Sequence, residues 1–143
     1  MNLGTILDTG PLIAFLNSRD GHHRWAREQW ARVEPPFLTC EAVIAEACFL
    51  AQRLGSGAPE AVVSLVERGV LDVSFRLADE AAAVARVMKV MKKYDDVPMS
   101  LADACLVRMS EQHPGSVVLT LDGDFRIYRR SGRHPIPTRM PGA

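Results

Sequence analysis

The stretch Leu3-Gly-Thr-Ile-Leu-Asp-Thr-Gly-Pro-Leu-Ile-Ala-Phe-Leu16 sets the architecture of the chain. Residues 3–7 form an apolar run of strand length. Asp8-Thr9-Gly10-Pro11 interrupts it, and Pro11 suits the first turn of a helix running through Leu16, because its φ is already helical and its missing N–H would have no partner there. A strand that hands the chain to a helix within a few residues is the first half of a β–α unit. Near the other end, Val117-Val-Leu-Thr-Leu121 repeats the pattern: it is short, apolar and β-branched, with Asp122-Gly-Asp124 directly after it. Such strands suit a sheet covered on both faces.

Between these two strands, Gly21 marks a loop. Residues 22–33 place Trp25, Ala26, Gln29 and Trp30 at helical spacing, and Glu34-Pro35-Pro36 ends that helix. Phe37-Leu38 is a minimal strand. Thr39 is placed to cap a helix over 40–54, which Gly55 stops. Helices are expected over 59–68, 79–93 and 100–112, with a strand over 70–75; His113-Pro114-Gly115 breaks the last helix. After Phe125 the pattern is irregular, with Pro135, Pro137 and Pro141. Strands alternating with helices imply an α/β fold whose central, mostly parallel sheet is flanked by α-helices. At 143 residues, one domain is expected, with its core over about 3–128 and a basic C-terminal tail over 125–143.

Seventeen Lys+Arg balance seventeen Asp+Glu, so net charge announces neither a polyanion binder nor a membrane-surface protein. The balance is uneven: Arg126, Arg129, Arg130, Arg133 and Arg139 face no acid after residue 124, so the rest of the chain is net acidic by five. No apolar run reaches the roughly 18 residues of a membrane span, and the N-terminus lacks the basic region of a signal peptide. Cys40, Cys48 and Cys105 are odd in number and form no CxxC, which reads as reduced thiols filling a core in a cytoplasmic protein.

Three carboxylates stand out. Asp8 is alone in the apolar opening segment, Glu46 in Ala42-Val-Ile-Ala-Glu-Ala-Cys-Phe-Leu-Ala51, and Asp103 in Val97-Pro-Met-Ser-Leu-Ala-Asp-Ala-Cys-Leu-Val107. A helix apolar all round is expected to be buried, and an unpaired buried carboxylate costs several kcal/mol or takes up a proton. No Lys or Arg within these segments offers a partner. A shared divalent cation would compensate all three, and oxygen ligands favour Mg²⁺ or Mn²⁺. Asp122 adds a fourth acid after a strand, where open α/β sheets bind ligands. Local alternatives stay open: Asp8 as a helix N-cap, Asp103 in a capping box with Ser100, Glu46 in a structural ion pair, and Asp122 and Asp124 as turn residues around Gly123.

Together, Leu7-Asp-Thr-Gly-Pro-Leu-Ile-Ala-Phe-Leu-Asn17, Thr39-Cys-Glu-Ala-Val-Ile-Ala-Glu-Ala-Cys48, Ser100-Leu-Ala-Asp-Ala104 and Leu119-Thr-Leu-Asp-Gly-Asp-Phe125 resemble the motifs of PIN-domain nucleases, in order and in spacing. The chain looks like a VapC-type toxin of a toxin–antitoxin pair. The resemblance implies a metal-dependent endoribonuclease that hydrolyses RNA phosphodiesters to 5′-phosphates with Mg²⁺, or Mn²⁺, and inhibits translation. It makes Asp8, Glu46, Asp103 and Asp122 the catalytic and metal-holding acids, with Asp124 as a further ligand. Thr9 and Thr120 become auxiliary hydrogen-bonding residues, and Ser100 stands where many relatives carry another acid. It further implies a VapB-like antitoxin, a homodimer built on the early helices and a cytoplasmic location. Arg126, Arg129, Arg130 and Arg133 are candidate contacts to RNA phosphates.

Two other readings share the fold: a stand-alone RNA-processing nuclease, and an inactive scaffold that binds RNA or protein. A phosphotransfer site on Asp8 fits poorly. Gly10 replaces the second Asp of a dehalogenase-type site, and no Lys follows the strand before Asp122.

Overall fold

The computed structural model describes residues 4–93 and 97–142. Leu3, the expected start of the first strand, and Ala143, the end of the basic segment, lie outside them. The chain runs β1 (Thr5–Leu7), α1 (Thr9–Leu16), α2 (His23–Arg32), β2 (Phe37–Leu38), α3 (Glu41–Ala51), α4 (Ala58–Glu67), β3 (Leu71–Asp72), α5 (Leu77–Met91), α6 (Leu101–Gln112), β4 (Val117–Leu119), a 3-10 turn (Gly123–Arg126), β5 (Arg129–Arg130), β6 (His134–Pro135) and β7 (Thr138–Arg139). The main sheet has the order β3-β2-β1-β4-β7, and every pairing in it is parallel.

Alternation along each strand feeds two cores. Ile6, Leu38 and Val118 turn toward one face, packed with α5, α6, Phe125 and Tyr128. Leu7, Phe37 and Leu119 turn toward the other, beneath α1, α2 and α4. Burial on both faces explains why the strands read as continuous apolar runs. Trp30 stacks on Phe15 with ring centroids 4.1 Å apart and leans on Phe37 at 4.2 Å, so it belongs to this second layer. Cys40 and Cys105 are buried in the first core, Cys48 is half-buried, and all three are free thiols.

The strand order places the site. From β1 the sheet grows toward β2 and β3 on one side and toward β4 on the other, so β1 and β4 flank the crevice where the order reverses. Their register, Leu7 opposite Leu119, brings their C-terminal ends level. Asp8 N–H donates to Leu119 O at 3.0 Å, extending that pairing by one residue.

Several expectations are corrected. Thr39 does not cap the third helix; its hydroxyl donates to Leu7 O at 2.8 Å and ties β2 to β1. Cys40 occupies the N-cap without a side-chain bond, and the helix gives way to a 3-10 turn over Gln52–Leu54. That helix is also not buried all round: Val43, Ala47 and Ala51 are buried, while Phe49 is 64% exposed and Leu50 37%. The strand expected over 70–75 shrinks to Leu71–Asp72.

The basic segment is not an irregular tail. β5 and β6 form a small antiparallel ladder, closed through Ser131 and Gly132 at φ 52° and 79°. β7 is then added to the main sheet beside β4. Proline hid this from the sequence. Pro137 has no N–H to give, but its carbonyl accepts from Val118 N at 2.9 Å, which an edge strand permits.

Candidate active site

Asp8, Glu46, Asp103 and Asp122 line one pocket of about 480 Å³, together with Thr9, Gly10, Asp20 and Ser100. Each acid comes from a different place. Asp8 leaves β1 and caps α1, Glu46 sits on α3, Asp103 lies in the first turn of α6, and Asp122 precedes the 3-10 turn after β4.

Two threonines stitch three of these acids together. Thr9 N–H donates to Asp8 Oδ1 at 2.7 Å, and its hydroxyl donates to Glu46 Oε2 at 3.2 Å. The Thr120 hydroxyl donates to Asp8 Oδ2 at 2.7 Å while accepting from Asp122 N–H at 2.9 Å. Thr120 is fully buried, and its own N–H donates to Arg139 O on β7 at 3.2 Å. The basic segment therefore supports the pocket through its backbone. Asp122 Oδ1 accepts from Asp124 N–H at 2.9 Å. Asp124 thus steadies Asp122 through its backbone, and its side chain does not line the pocket.

Asp103 is held by different means. Ser100 and Asp103 form a reciprocal capping box, with Asp103 Oδ2 accepting from Ser100 N–H at 3.3 Å. The same oxygen accepts from the Tyr128 hydroxyl at 3.0 Å. Capping and pocket-lining coexist in Asp8 and Asp103, because the end of a helix is also where its free N–H groups meet the crevice.

The electrostatics follow from burial and crowding. Asp8 is 8% exposed. Loss of hydration pushes its carboxyl up to about 6, against the pull of its bonds from Thr120 and Thr9, with Asp103 and Asp122 adding repulsion. Burial also raises the Asp103 carboxyl, opposed by Ser100 and Tyr128 and reinforced by Asp122. Burial and then the charge of Asp103 push the Tyr128 phenol up, so it stays a donor. Glu46 stands at the exposed mouth of the pocket, not buried as the apolar helix led one to expect. No Lys or Arg is among the described residues lining the pocket.

The chain matches the PIN-domain family over residues 5–130. It belongs to the PIN-domain family. Among relatives of this PIN domain is ribonuclease VapC26 of Mycobacterium tuberculosis, 28% identical over 119 residues that span 82% of this chain and 85% of that one. The crystal structure of Mycobacterium tuberculosis VapC20, described as a sarcin–ricin loop cleaving toxin, superposes with a TM-score of 0.76 at 23% identity. That superposition covers 92% of this PIN domain and all of that chain, and it shows a shared fold.

Other sequence-derived candidates fall outside the pocket of this PIN domain. Arg129 Nη1 lies 2.8–3.0 Å from the carbonyls of Arg126, Ile127 and Tyr128. Arg130 binds Pro114 O at 3.1 Å and Ser110 O at 3.3 Å. Arg126 and Arg133 are exposed, and neither lines the pocket.

Sequence pattern misses two residues. Asp20 reaches the pocket from the α1–α2 loop while its Oδ1 accepts from His22 N–H at 2.8 Å; nothing in its sequence neighbourhood marks it. Tyr128 follows the last acidic motif by a few residues, and an aromatic in an irregular segment carries no signal until the fold sets it beside Asp103.

Proposed function

We propose that this PIN domain is a divalent-metal-dependent endoribonuclease of the VapC toxin type, with Asp8, Glu46, Asp103 and Asp122 as its catalytic acids and Mg²⁺ or Mn²⁺ as its cofactor. One observation carries the reading: four carboxylates from four separate elements, with Asp20 of the α1–α2 loop as a fifth, share one pocket that no cationic side chain among the described residues enters. The donor set is all oxygen, which suits a hard cation. An ion held by one or two of these carboxylates, with its other ligands from water and substrate phosphate, would match what Mg²⁺ prefers.

Such an ion would lower the pKa of bound water and offset charge on the phosphate undergoing attack. Asp8 and Asp103, the more enclosed acids, would hold it. Glu46, exposed and lining the same pocket, would take a proton from the attacking water. Asp122, held by Thr120 and Asp124, would add its charge to the same site. Thr9 and Thr120 keep three acids in register without contributing charge.

RNA is the substrate that agrees with the ribonuclease relative. Exposed Phe49, Leu50 and Val63 on α3 and α4 supply an apolar surface for a homodimer and a VapB-like antitoxin. Among the described residues no helix is long and apolar enough to cross a membrane, and a cytoplasmic site of action is part of the same proposal. The test is cleavage of total RNA with Mg²⁺. Activity should vanish with chelator and in Asp8→Asn and Asp103→Asn; cleavage by both variants after chelation refutes the proposal. Growth arrest on expression, relieved by the product of an adjacent small gene, tests the toxin role.

A further inference from the structure

We propose that Tyr128 is a positioning residue for Asp103, fixing one carboxylate oxygen so that the other is free for a divalent cation. This rests on the metal-dependent reading above and assigns it a residue outside the four acids. Tyr128 is 1% exposed, and its ring meets Phe125 edge-on with centroids 5.1 Å apart. Its hydroxyl lies 2.8 Å from Pro98 O and 3.0 Å from Asp103 Oδ2. One phenol thus joins the segment leading into α6 to the acid in that helix's first turn.

The division of the Asp103 oxygens makes this more than packing. Oδ2 takes both hydrogen bonds, from Ser100 N–H and from Tyr128. Neither of these two bonds uses Oδ1, in a residue that lines the pocket. The capping bond from Ser100 N–H is long, at 3.3 Å, and the 3.0 Å contact from Tyr128 is the closer restraint on this oxygen. The single O–H of Tyr128 is shared between Pro98 O at 2.8 Å and Asp103 Oδ2 at 3.0 Å, and the charged carboxylate is the stronger acceptor of the two. A donor behind a metal-binding carboxylate orients the ligand, and losing such a partner typically costs about 10- to 100-fold in metal affinity or activity.

The experiment compares wild type with Tyr128→Phe, Phe125→Leu and Asp8→Asn. Mn²⁺ affinity is read by calorimetry, and the Mg²⁺ concentration giving half-maximal RNA cleavage is read alongside it. Tyr128→Phe should weaken Mn²⁺ binding about tenfold and raise the Mg²⁺ requirement by a similar factor. Cleavage at saturating Mg²⁺ should stay closer to wild type. Phe125→Leu loosens the same core without touching a carboxylate, so it should lower the melting temperature and leave Mn²⁺ affinity unchanged.

Equal loss of affinity in Phe125→Leu and Tyr128→Phe, or no loss in Tyr128→Phe, overturns the positioning role. Cleavage by Asp8→Asn overturns the underlying functional reading instead. Wild-type protein carrying ¹³C-labelled tyrosine gives a readout free of any folding defect: the Tyr128 Cζ resonance should move on Mg²⁺ titration, and an unmoved resonance refutes the link.

Discussion

Replacing Asp8 with asparagine should stabilise the metal-free protein while abolishing its activity. The Asp8 carboxyl rises from 3.8 to about 6 on folding, chiefly through lost hydration. The folded state therefore binds this proton more tightly than the unfolded state does. The stabilisation that proton provides is complete below the unfolded value of 3.8 and is lost as pH rises through about 6. The shift corresponds to about 3 kcal/mol. The Asp8→Asn side chain removes the charge, keeps an acceptor for Thr9 N–H, and forgoes the Thr120 bond, which costs about 1 kcal/mol. The variant should then exceed wild type by about 2 kcal/mol near neutral pH, with the difference gone at about pH 4. Denaturant unfolding of both proteins in chelator, at about pH 4 and about pH 7.5, measures the gap directly. Saturating Mg²⁺ at the higher pH should close it by stabilising wild type alone. A gap that does not change with pH, or an Asp8→Asn variant less stable than wild type near neutrality, would refute the account of a crowded, poorly hydrated carboxylate.

Three other outcomes follow from the same geometry. Thr120→Val keeps the shape but strands Asp8 Oδ2 and Asp122 N–H; denaturant titration should show a loss of about 2 kcal/mol, with RNA cleavage falling in parallel. Glu46→Gln, at the exposed mouth, should leave stability within about 0.5 kcal/mol while cleavage drops sharply, and retained cleavage would remove Glu46 from proton transfer. Truncation after Tyr128 removes β7, uncovers the edge of β4 and deprives Thr120 N–H of Arg139 O; circular dichroism should show loss of the cooperative melt, whereas a dispensable tail predicts an unchanged one.

Fold class and the four acids are legible in the order of residues alone, and for the same reason. A strand buried on both faces is a short apolar run, and a single charge in such a run stands out, as Asp8 does in the opening segment even though it also caps α1. Thr9 and Thr120 are legible because they adjoin those acids in the chain. The motif order also carries the family, since each motif is a local string. Burial of individual residues is not legible. The helix carrying Glu46 is apolar on every face, and periodicity cannot say which faces the fold covers; only the packing of α1, α4 and α6 around it leaves Phe49 and Leu50 in solvent.

Contacts made across the chain belong to the folded molecule. Tyr128 reaches Asp103 over 25 residues, and Thr120 reaches Asp8 over 112. β7 is a strand because β4 offers it hydrogen-bonding groups, not because Thr138 and Arg139 prefer that conformation. The arginines after Phe125 read in the sequence only as positive charge, and the fold adds that Arg129 and Arg130 each tie Nη1 to backbone carbonyls. Sequence pattern reports what a residue is and how its neighbours repeat. Which partner satisfies it depends on loop closure and packing, and those are settled only when distant segments meet.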